Sequence, residues 1–292
     1  MPDVQANGLR LYYETLGDPA DPALLLVMGL GAQLIDWPQE FCEQLADRGF
    51  FVIRFDNRDA GLSSNRPEWG VPDLRAIIAG DRTTVPYLLA DLAADIAGLL
   101  DALEVPRVHV VGASMGGMIA QQFTIDHPER VASLCSIMST TGERSVGRAT
   151  PEAAAVLGNP PAPDRATAVA TSVASARIIG SPGFPAPEDE LLRRAEAKYD
   201  RGYHPLGTLR QYAAIIASPE RTAALREVTV PTVVIHGAAD PLITVSGGEA
   251  TAAAVPGAEL VVLDGMGHDL PRALWPRIIA VIVKNAERAA AH

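Results

Sequence analysis

Ser114 is the side chain with the clearest chemical potential, because it lies in a Gly-x-Ser-x-Gly pentapeptide, Gly112-Ala113-Ser114-Met115-Gly116. A β-branched run at residues 108–111 precedes the pentapeptide, and a helix-like run at residues 117–123 follows it. A serine on a tight, glycine-flanked turn between a strand and a helix is typical of a nucleophile elbow. Such a turn raises the hydroxyl above a helix N-terminus, where backbone N–H groups favour negative charge. The pattern predicts a nucleophilic serine, with an ordinary strand–helix turn as the alternative.

A nucleophilic serine needs a histidine to take its proton and a carboxylate to hold that histidine in the right tautomer. Asp240 follows a strand-like run at residues 230–237, and His268 follows another at residues 259–263. Loops after strands are where chemistry gathers in open α/β sheets, and the order Ser, Asp, His is a known triad order. Asp264 is a rival carboxylate, but we expect it to start the turn that carries His268. We therefore predict that Ser114, Asp240 and His268 are catalytic.

Two backbone N–H groups are expected to stabilise the oxyanion that forms when such a serine attacks a carbonyl. Met115, directly after the serine, supplies the first. The second is expected from the loop after an early strand, and the apolar run at residues 23–28 is followed by Gly29-Leu30-Gly31. We predict oxyanion donors at Leu30 and Met115, with Gly29 beside the substrate.

The elements that must position these residues follow from the alternation of strand-like and helix-like runs at residues 24–138 and again from about 230. This alternation predicts an α/β fold with a mostly parallel, doubly wound sheet. Residues 140–222 lack strand-like runs and carry Ala-rich helical stretches broken by prolines. We expect residues 1–139 and 223–292 to form the core and residues 140–222 to form a helical lid over the strand ends. Phe184 and Tyr203 of the lid are predicted to contact substrate, although packing is the alternative role for such aromatic residues.

The amino-acid composition and net charge favour some classes of protein over others. The 292 residues are 48% hydrophobic, which suits one sizeable domain with an insertion. The net charge of −11, from 24 basic and 35 acidic residues, disfavours nucleic acid or anionic membrane as a partner. Cys42 and Cys135 fit no metal or redox spacing, so we predict free thiols. We also expect no metal and no cofactor. We see no signal peptide and no apolar run of roughly 20 residues, and we expect a cytoplasmic protein.

These motifs together resemble the α/β-hydrolase superfamily over nearly the whole chain. Residues 54–63 are similar to its Asp-x-Arg-x-x-Gly-x-Ser loop, and residues 7–14 are similar to its opening hairpin. Residues 16–29 and 225–232 look closest to the aclacinomycin methylesterase type of small actinobacterial esterases. The resemblance implies ester hydrolysis by Ser114, Asp240 and His268 through an acyl-enzyme. Met28 stands where many members have a histidine that props the oxyanion loop, a departure that the methylesterase type shares.

Several functions remain open at this stage. The same triad serves perhydrolases, lactonases and C–C bond hydrolases, and a small-molecule receptor with little turnover would also retain it. The resemblance suggests a methyl ester of a polyketide-like small molecule, while a simpler ester is equally compatible with the triad. A nucleotide-dependent oxidoreductase is disfavoured, because the loop at residues 29–34 lacks the third glycine of the dinucleotide-binding fingerprint.

Overall fold

The computed structural model describes residues 3–158 and 161–290. The strands in these ranges are β1 (Asp3–Ala6), β2 (Leu9–Leu16), β3 (Ala23–Val27), β4 (Phe51–Phe55), β5 (Val108–Ala113), β6 (Val131–Ile137), β7 (Thr232–Gly237) and β8 (Glu259–Leu263). They form one sheet in the order β1-β2-β4-β3-β5-β6-β7-β8. The β1–β2 and β2–β4 pairs are antiparallel and all later pairs are parallel. The predicted mostly parallel sheet is therefore confirmed.

The antiparallel edge begins with a hairpin whose turn is Asn7-Gly8. Asn7 has φ of 49° and Gly8 has φ of 73°. A two-residue hairpin loop of this twist needs positive φ at both positions, and Asn-Gly is the sequence that adopts it most readily. The hairpin expected at residues 7–14 therefore starts earlier, at Asp3, and its second strand runs to Leu16.

Helices cover both faces of the sheet. The helices in the described residues are α1 (Gln39–Ala46), α2 (Leu74–Ile78), α3 (Leu89–Ala102), α4 (Met115–Asp126), α5 (Pro151–Leu157), α6 (Arg165–Ile179), α7 (Glu188–Arg201), α8 (Pro205–Ala217), α9 (Thr222–Leu225), α10 (Ser246–Ala254) and α11 (Trp275–Ala290). Helices α3 and α4 contribute to one apolar cluster, and α1 and α11 contribute to a second. Because β3 lies between these layers, its residues Leu24–Val27 are fully buried, as expected for a central parallel strand.

The chain reverses its direction of travel across the sheet at β3. From β3 it moves outward to β4 on one side, and later returns to β5 on the other side of β3. Loops that leave the carboxyl ends of β3 and β5 therefore diverge and open a crevice, which is where ligands bind in sheets of this kind. The Gly29-Leu30-Gly31 loop follows β3, and Ser114 follows β5.

In the residues that the structure describes, the segment between β6 and β7 consists of helices joined by loops. It contains α5 to α9, and no strand occurs there in residues 140–158 or 161–222. The proline-containing stretch at residues 181–187 forms the connection between α6 and α7, as its composition predicts. Part of the other predicted break, at residue 160, lies outside the described residues.

Candidate active site

Ser114 adopts the strained backbone of a nucleophile elbow, between β5 and α4. Its φ is 58° and its ψ is −123°, a conformation that residues other than glycine rarely adopt. The flanking glycines are needed for close packing. A Cβ at Gly112 would lie 2.1 Å from the Gly116 carbonyl oxygen, and a Cβ at Gly116 would lie 2.1 Å from the Val27 carbonyl oxygen. The serine hydroxyl is thereby presented at the N-terminus of α4.

The structure brings Ser114, His268 and Asp240 into one hydrogen-bonded chain. The His268 Nε2 atom lies 2.9 Å from Ser114 Oγ, and the His268 Nδ1 atom lies 2.7 Å from Asp240 Oδ2. A carboxylate only accepts hydrogen bonds, so the Nδ1 atom must carry the proton. The Nε2 lone pair is then free to accept the serine proton, which is the arrangement a general base requires.

Asp240 is held in a fixed orientation by its own loop. Its Oδ1 atom accepts hydrogen bonds from the N–H groups of Leu242 and Ile243, both at 2.9 Å. Only 4% of Asp240 is exposed, whereas Asp264 lies exposed in the turn after β8. The structure therefore places Asp240, and not Asp264, against His268.

A second histidine, His236, lies next to the Asp240 carboxylate. His236 is fully buried, and its Nε2 atom donates to the Ile243 carbonyl oxygen at 2.7 Å. The same atom lies 3.6 Å from Asp240 Oδ2. Burial lowers the pKa of His236, so its neutral form is favoured. His236 therefore supports the loop around Asp240 without adding a positive charge that would compete with His268.

The loop after β3 passes directly beside the nucleophile. A Cβ at Gly29 would lie 3.0 Å from Ser114 Cβ. Within this loop the Gly31 N–H donates to Gln211 Oε1 at 2.8 Å. Among the described residues the Leu30 N–H has no acceptor. Met115 is the first residue of α4, and N–H groups in the first turn of a helix lack an intrahelical partner. These two N–H groups are the ones predicted to face the oxyanion.

The loop that carries His268 is held by the connection between α6 and α7. The His268 N–H donates to the Ile179 carbonyl oxygen at 2.7 Å. The Gly267 N–H donates to Ser181 Oγ at 2.8 Å, and Ser181 Oγ in turn donates to Asp269 Oδ1. Burial raises the pKa of the Asp269 carboxyl. The helical segment therefore contributes directly to the position of the histidine.

A cavity of about 1060 Å³ opens onto Ser114 and His268 between the sheet and helices α6, α7 and α8. Gly29 and Tyr203 line it, whereas Phe184 lies outside the lining with its ring beside Gly265. Most lining side chains are apolar, and they include Met118, Met138, Leu191, Leu209, Tyr212, Ile215 and Leu242. The volume is at the upper end of the range for small-molecule pockets, roughly 300–1,000 Å³.

We find no metal-binding cluster in residues 3–158 and 161–290, where no three His, Cys, Asp or Glu side chains are grouped to hold an ion. In the same part of the chain, no helix is long and apolar enough to cross a membrane.

Sequence reasoning missed several residues that support the site. Gln211 bonds to a residue 180 positions away, and Ser181 bonds to one 86 positions away. Asn57, whose Nδ2 atom donates to the Met28 carbonyl oxygen at 2.9 Å, was likewise not singled out. No local pattern marks Gln211 or Ser181, because their partners come from distant parts of the chain. Asn57 lies within the Asp-x-Arg-x-x-Gly-x-Ser loop at residues 54–63, but at a position that this pattern does not specify.

The chain is similar to known hydrolases in sequence and in fold. The model of the alpha/beta hydrolase fold family matches residues 22–271. A rhodomycin D methylesterase of Streptomyces sp. strain C5 is 31% identical, with 98% of each chain covered. A rhodomycin D methylesterase of Streptomyces peucetius is 30% identical, with 96% of each chain covered. The crystal structure of an esterase from Rhodococcus sp. superposes with a TM-score of 0.76 at 20% identity, covering 98% of this chain and 97% of that one.

Proposed function

The chain belongs to the α/β hydrolase fold family, and from this premise we propose that it is a serine hydrolase that cleaves carboxylic esters through Ser114, His268 and Asp240. The observation that carries the proposal is the continuous relay of 2.9 Å and 2.7 Å from the Ser114 hydroxyl through His268 to Asp240. Full-length similarity to two proteins named as methylesterases supports an ester as the bond that is broken.

The first half of the reaction forms an acyl-enzyme. Ser114 Oγ attacks the ester carbonyl carbon while its proton passes to His268 Nε2. The carbonyl oxygen becomes an oxyanion, which accepts hydrogen bonds from the N–H groups of Leu30 and Met115. When the C–O bond to the alcohol breaks, His268 returns its proton to the leaving oxygen, and Asp240 stabilises the transient imidazolium.

The second half releases the acid. A water molecule gives a proton to His268 Nε2 and attacks the acyl-enzyme carbonyl, which forms a second oxyanion in the same position. Collapse of this intermediate breaks the bond to Ser114 Oγ, which recovers the proton from His268. The products are one carboxylic acid and one alcohol, and the resting hydrogen bonds are restored.

The substrate we propose is a methyl ester of a bulky, polyketide-like small molecule. The cavity of about 1060 Å³ is far larger than a simple acetate ester needs, and its lining is mainly apolar. We propose that residues 140–222 act as a lid on the core formed by residues 1–139 and 223–292. The lid supplies one wall of the cavity through Tyr203, and Gly29 supplies contact beside the serine.

The test compares wild type with Ser114→Ala on p-nitrophenyl butyrate. We expect the variant to lose on the order of 10⁴-fold or more in kcat, because the nucleophile is gone while the fold remains. Ser145→Ala is the control, since Ser145 is exposed and lies outside the cavity lining. Normal turnover by Ser114→Ala would remove the proposal.

The substrate class is tested separately by methanol release. The methyl ester of a polycyclic aromatic acid is compared with methyl butyrate at equal concentrations. A higher kcat/KM for the polycyclic ester is expected, because only this ester fills the cavity. A preference for methyl butyrate would retain the esterase and reject the bulky substrate.

A further inference from the structure

The oxyanion loop of this protein is supported by the lid, through one buried glutamine. Resting on the proposed function, we propose that Gln211 of α8 is a positioning residue that fixes the Leu30 N–H of the oxyanion hole. The lid would then set the rate of the chemical step as well as enclose the substrate.

Gln211 makes two hydrogen bonds that fix its side-chain amide. Its Oε1 atom accepts the Gly31 N–H at 2.8 Å, and its Nε2 atom donates to the Arg58 carbonyl oxygen at 2.7 Å. Gln211 is fully buried. A buried amide with both ends bonded has one orientation, so its oxygen holds Gly31 in one place.

The bond from Gly31 to Gln211 lies one peptide away from the Leu30 N–H. The peptide that carries the Leu30 N–H is the one between Gly29 and Leu30. The preceding peptide is held by Asn57 Nδ2, which donates to the Met28 carbonyl oxygen at 2.9 Å. The following peptide is held by Gln211 through the Gly31 N–H. The donor peptide therefore lies between two fixed neighbours, one held by the core and one by the lid.

The oxyanion loop is rich in glycine and would be flexible without external contacts. Gly31 has φ of 62°, in the left-handed region, and glycines offer little intrinsic resistance to rotation. The Gly29 carbonyl oxygen accepts the Ala32 N–H at 3.2 Å and closes the loop as a turn. This bond lies within the loop, so the turn as a whole is anchored by contacts from outside it, such as those from Asn57 and Gln211. Thr208, one turn before Gln211, packs so closely that a Cβ at Gly31 would lie 2.8 Å from its Oγ1 atom.

Helix α8 is itself firmly attached to the core. Arg210, next to Gln211, is 1% exposed and forms a two-pronged ion pair with Asp59 at 2.7 and 2.8 Å. A second lid contact lies at the far end of the oxyanion loop, where Gln33 Nε2 donates to the carbonyl oxygens of Lys198 and Gly202 at 2.8 Å. The lid is therefore able to act as a rigid support for the loop.

The expected consequence is kinetic. Displacing a catalytic group by about 1 Å can lower a rate on the order of 10²-fold. Loss of the Gln211 amide lets the Leu30 N–H turn away from the oxyanion, which forms only during the reaction. The variant should therefore lose kcat and bind a tetrahedral analogue more weakly, while KM changes little.

The experiment uses the full-length protein and three variants: Gln211→Met, Gln211→Asn and Ser218→Ala. Methionine keeps the length of the side chain without the amide, and asparagine keeps the amide with a shorter reach. Ser218 is the control, because its Oγ atom accepts the Leu89 N–H at 2.9 Å and attaches the other end of α8 to the core. Each is assayed for kcat and KM on p-nitrophenyl butyrate, for inhibition by a matching trifluoromethyl ketone, and for melting temperature. Active sites are titrated with a fluorophosphonate so that rates refer to folded enzyme.

We expect Gln211→Met to lose kcat on the order of 10²-fold, with a similar loss of ketone affinity, while Ser218→Ala stays near wild type. If Gln211→Met does not fold, the same losses of kcat and ketone affinity are measured in Gln211→Asn. Wild-type kcat and ketone affinity in a folded Gln211 variant would overturn the proposal, and so would an equal loss in Ser218→Ala. An inactive wild type, or an active Ser114→Ala, would instead refute the esterase function on which the proposal rests.

Discussion

Asp240→Asn is the substitution that tests the relay most sharply. The replacement has nearly the same size, but it removes the charge and replaces one acceptor oxygen by an NH2 donor. The N–H groups of Leu242 and Ile243 both point at Oδ1, at 2.9 Å. They require an oxygen there, so the asparagine amide nitrogen must take the position of Oδ2, facing His268.

This orientation forces the wrong tautomer on the histidine. The His268 Nδ1 atom, 2.7 Å from the new nitrogen, must become an acceptor, and its proton moves to Nε2. The Nε2 atom then cannot accept the Ser114 proton across the 2.9 Å contact. A correctly folded site with the wrong tautomer is expected to lose about 10⁴-fold in kcat, or about 5 kcal/mol of transition-state stabilisation.

The assay is hydrolysis of p-nitrophenyl butyrate at pH 7 to 9, with the melting temperature of each variant measured in parallel. Asp264→Asn is the matched control, because Asp264 is also close to His268 in sequence but lies exposed. We expect wild-type activity from this control. A loss of less than tenfold in Asp240→Asn, or an equal loss in Asp264→Asn, would refute the reasoning.

Three further results are expected. Burial lowers the pKa of His109 to about 4, so the folded protein keeps this ring neutral while the unfolded chain takes up a proton below about pH 6.5. Its contribution to stability is therefore lost as the pH falls from about 6.5 to 4, and His109→Gln should flatten that part of a urea-unfolding series measured against pH. Arg210→Met should lower the free energy of unfolding by about 3–5 kcal/mol, because it leaves Asp59 buried without its counter-ion. The double variant that combines Arg210→Met with Asp59→Asn should lose less stability than Arg210→Met alone, because it has no unpaired buried charge. Gly116→Ala should yield little folded or active enzyme, since its Cβ would lie 2.1 Å from a carbonyl oxygen of β3, and circular dichroism checks the fold.

The sequence was informative wherever the signal is local. The nucleophile elbow is one such case, since strand, glycine-flanked serine and helix are contiguous at residues 108–126 and each part constrains the next. The alternation of strands and helices likewise predicted the parallel sheet, because periodicity reports which faces of each element are buried. The change of pattern after residue 139 predicted helices between β6 and β7 for the same reason.

The cavity is a case where local signals were insufficient. Tyr203 and Phe184 are both aromatic residues of the helical segment, and their surroundings in sequence do not distinguish them. In the structure Tyr203 lines the cavity and stacks on Tyr199, with ring centroids 4.9 Å apart, whereas Phe184 lies beside Gly265. Which side of a loop or helix faces a pocket depends on the neighbouring elements that enclose it.

The sequence alone therefore determined the elements, their order and the candidate nucleophile, because backbone sterics and apolar periodicity act over a few residues. The sequence also favoured Asp240 over Asp264 as the partner of His268, but only the tertiary structure decided that their atoms meet at 2.7 Å and that Gln211 contacts the loop of Leu30. These decisions depend on hydrogen bonds between side chains and loops separated by 28 and 180 positions. Their geometry exists only once the sheet and the helical segment between β6 and β7 have packed, since directional bonds are set by the positions of whole elements and leave no pattern in the neighbouring residues.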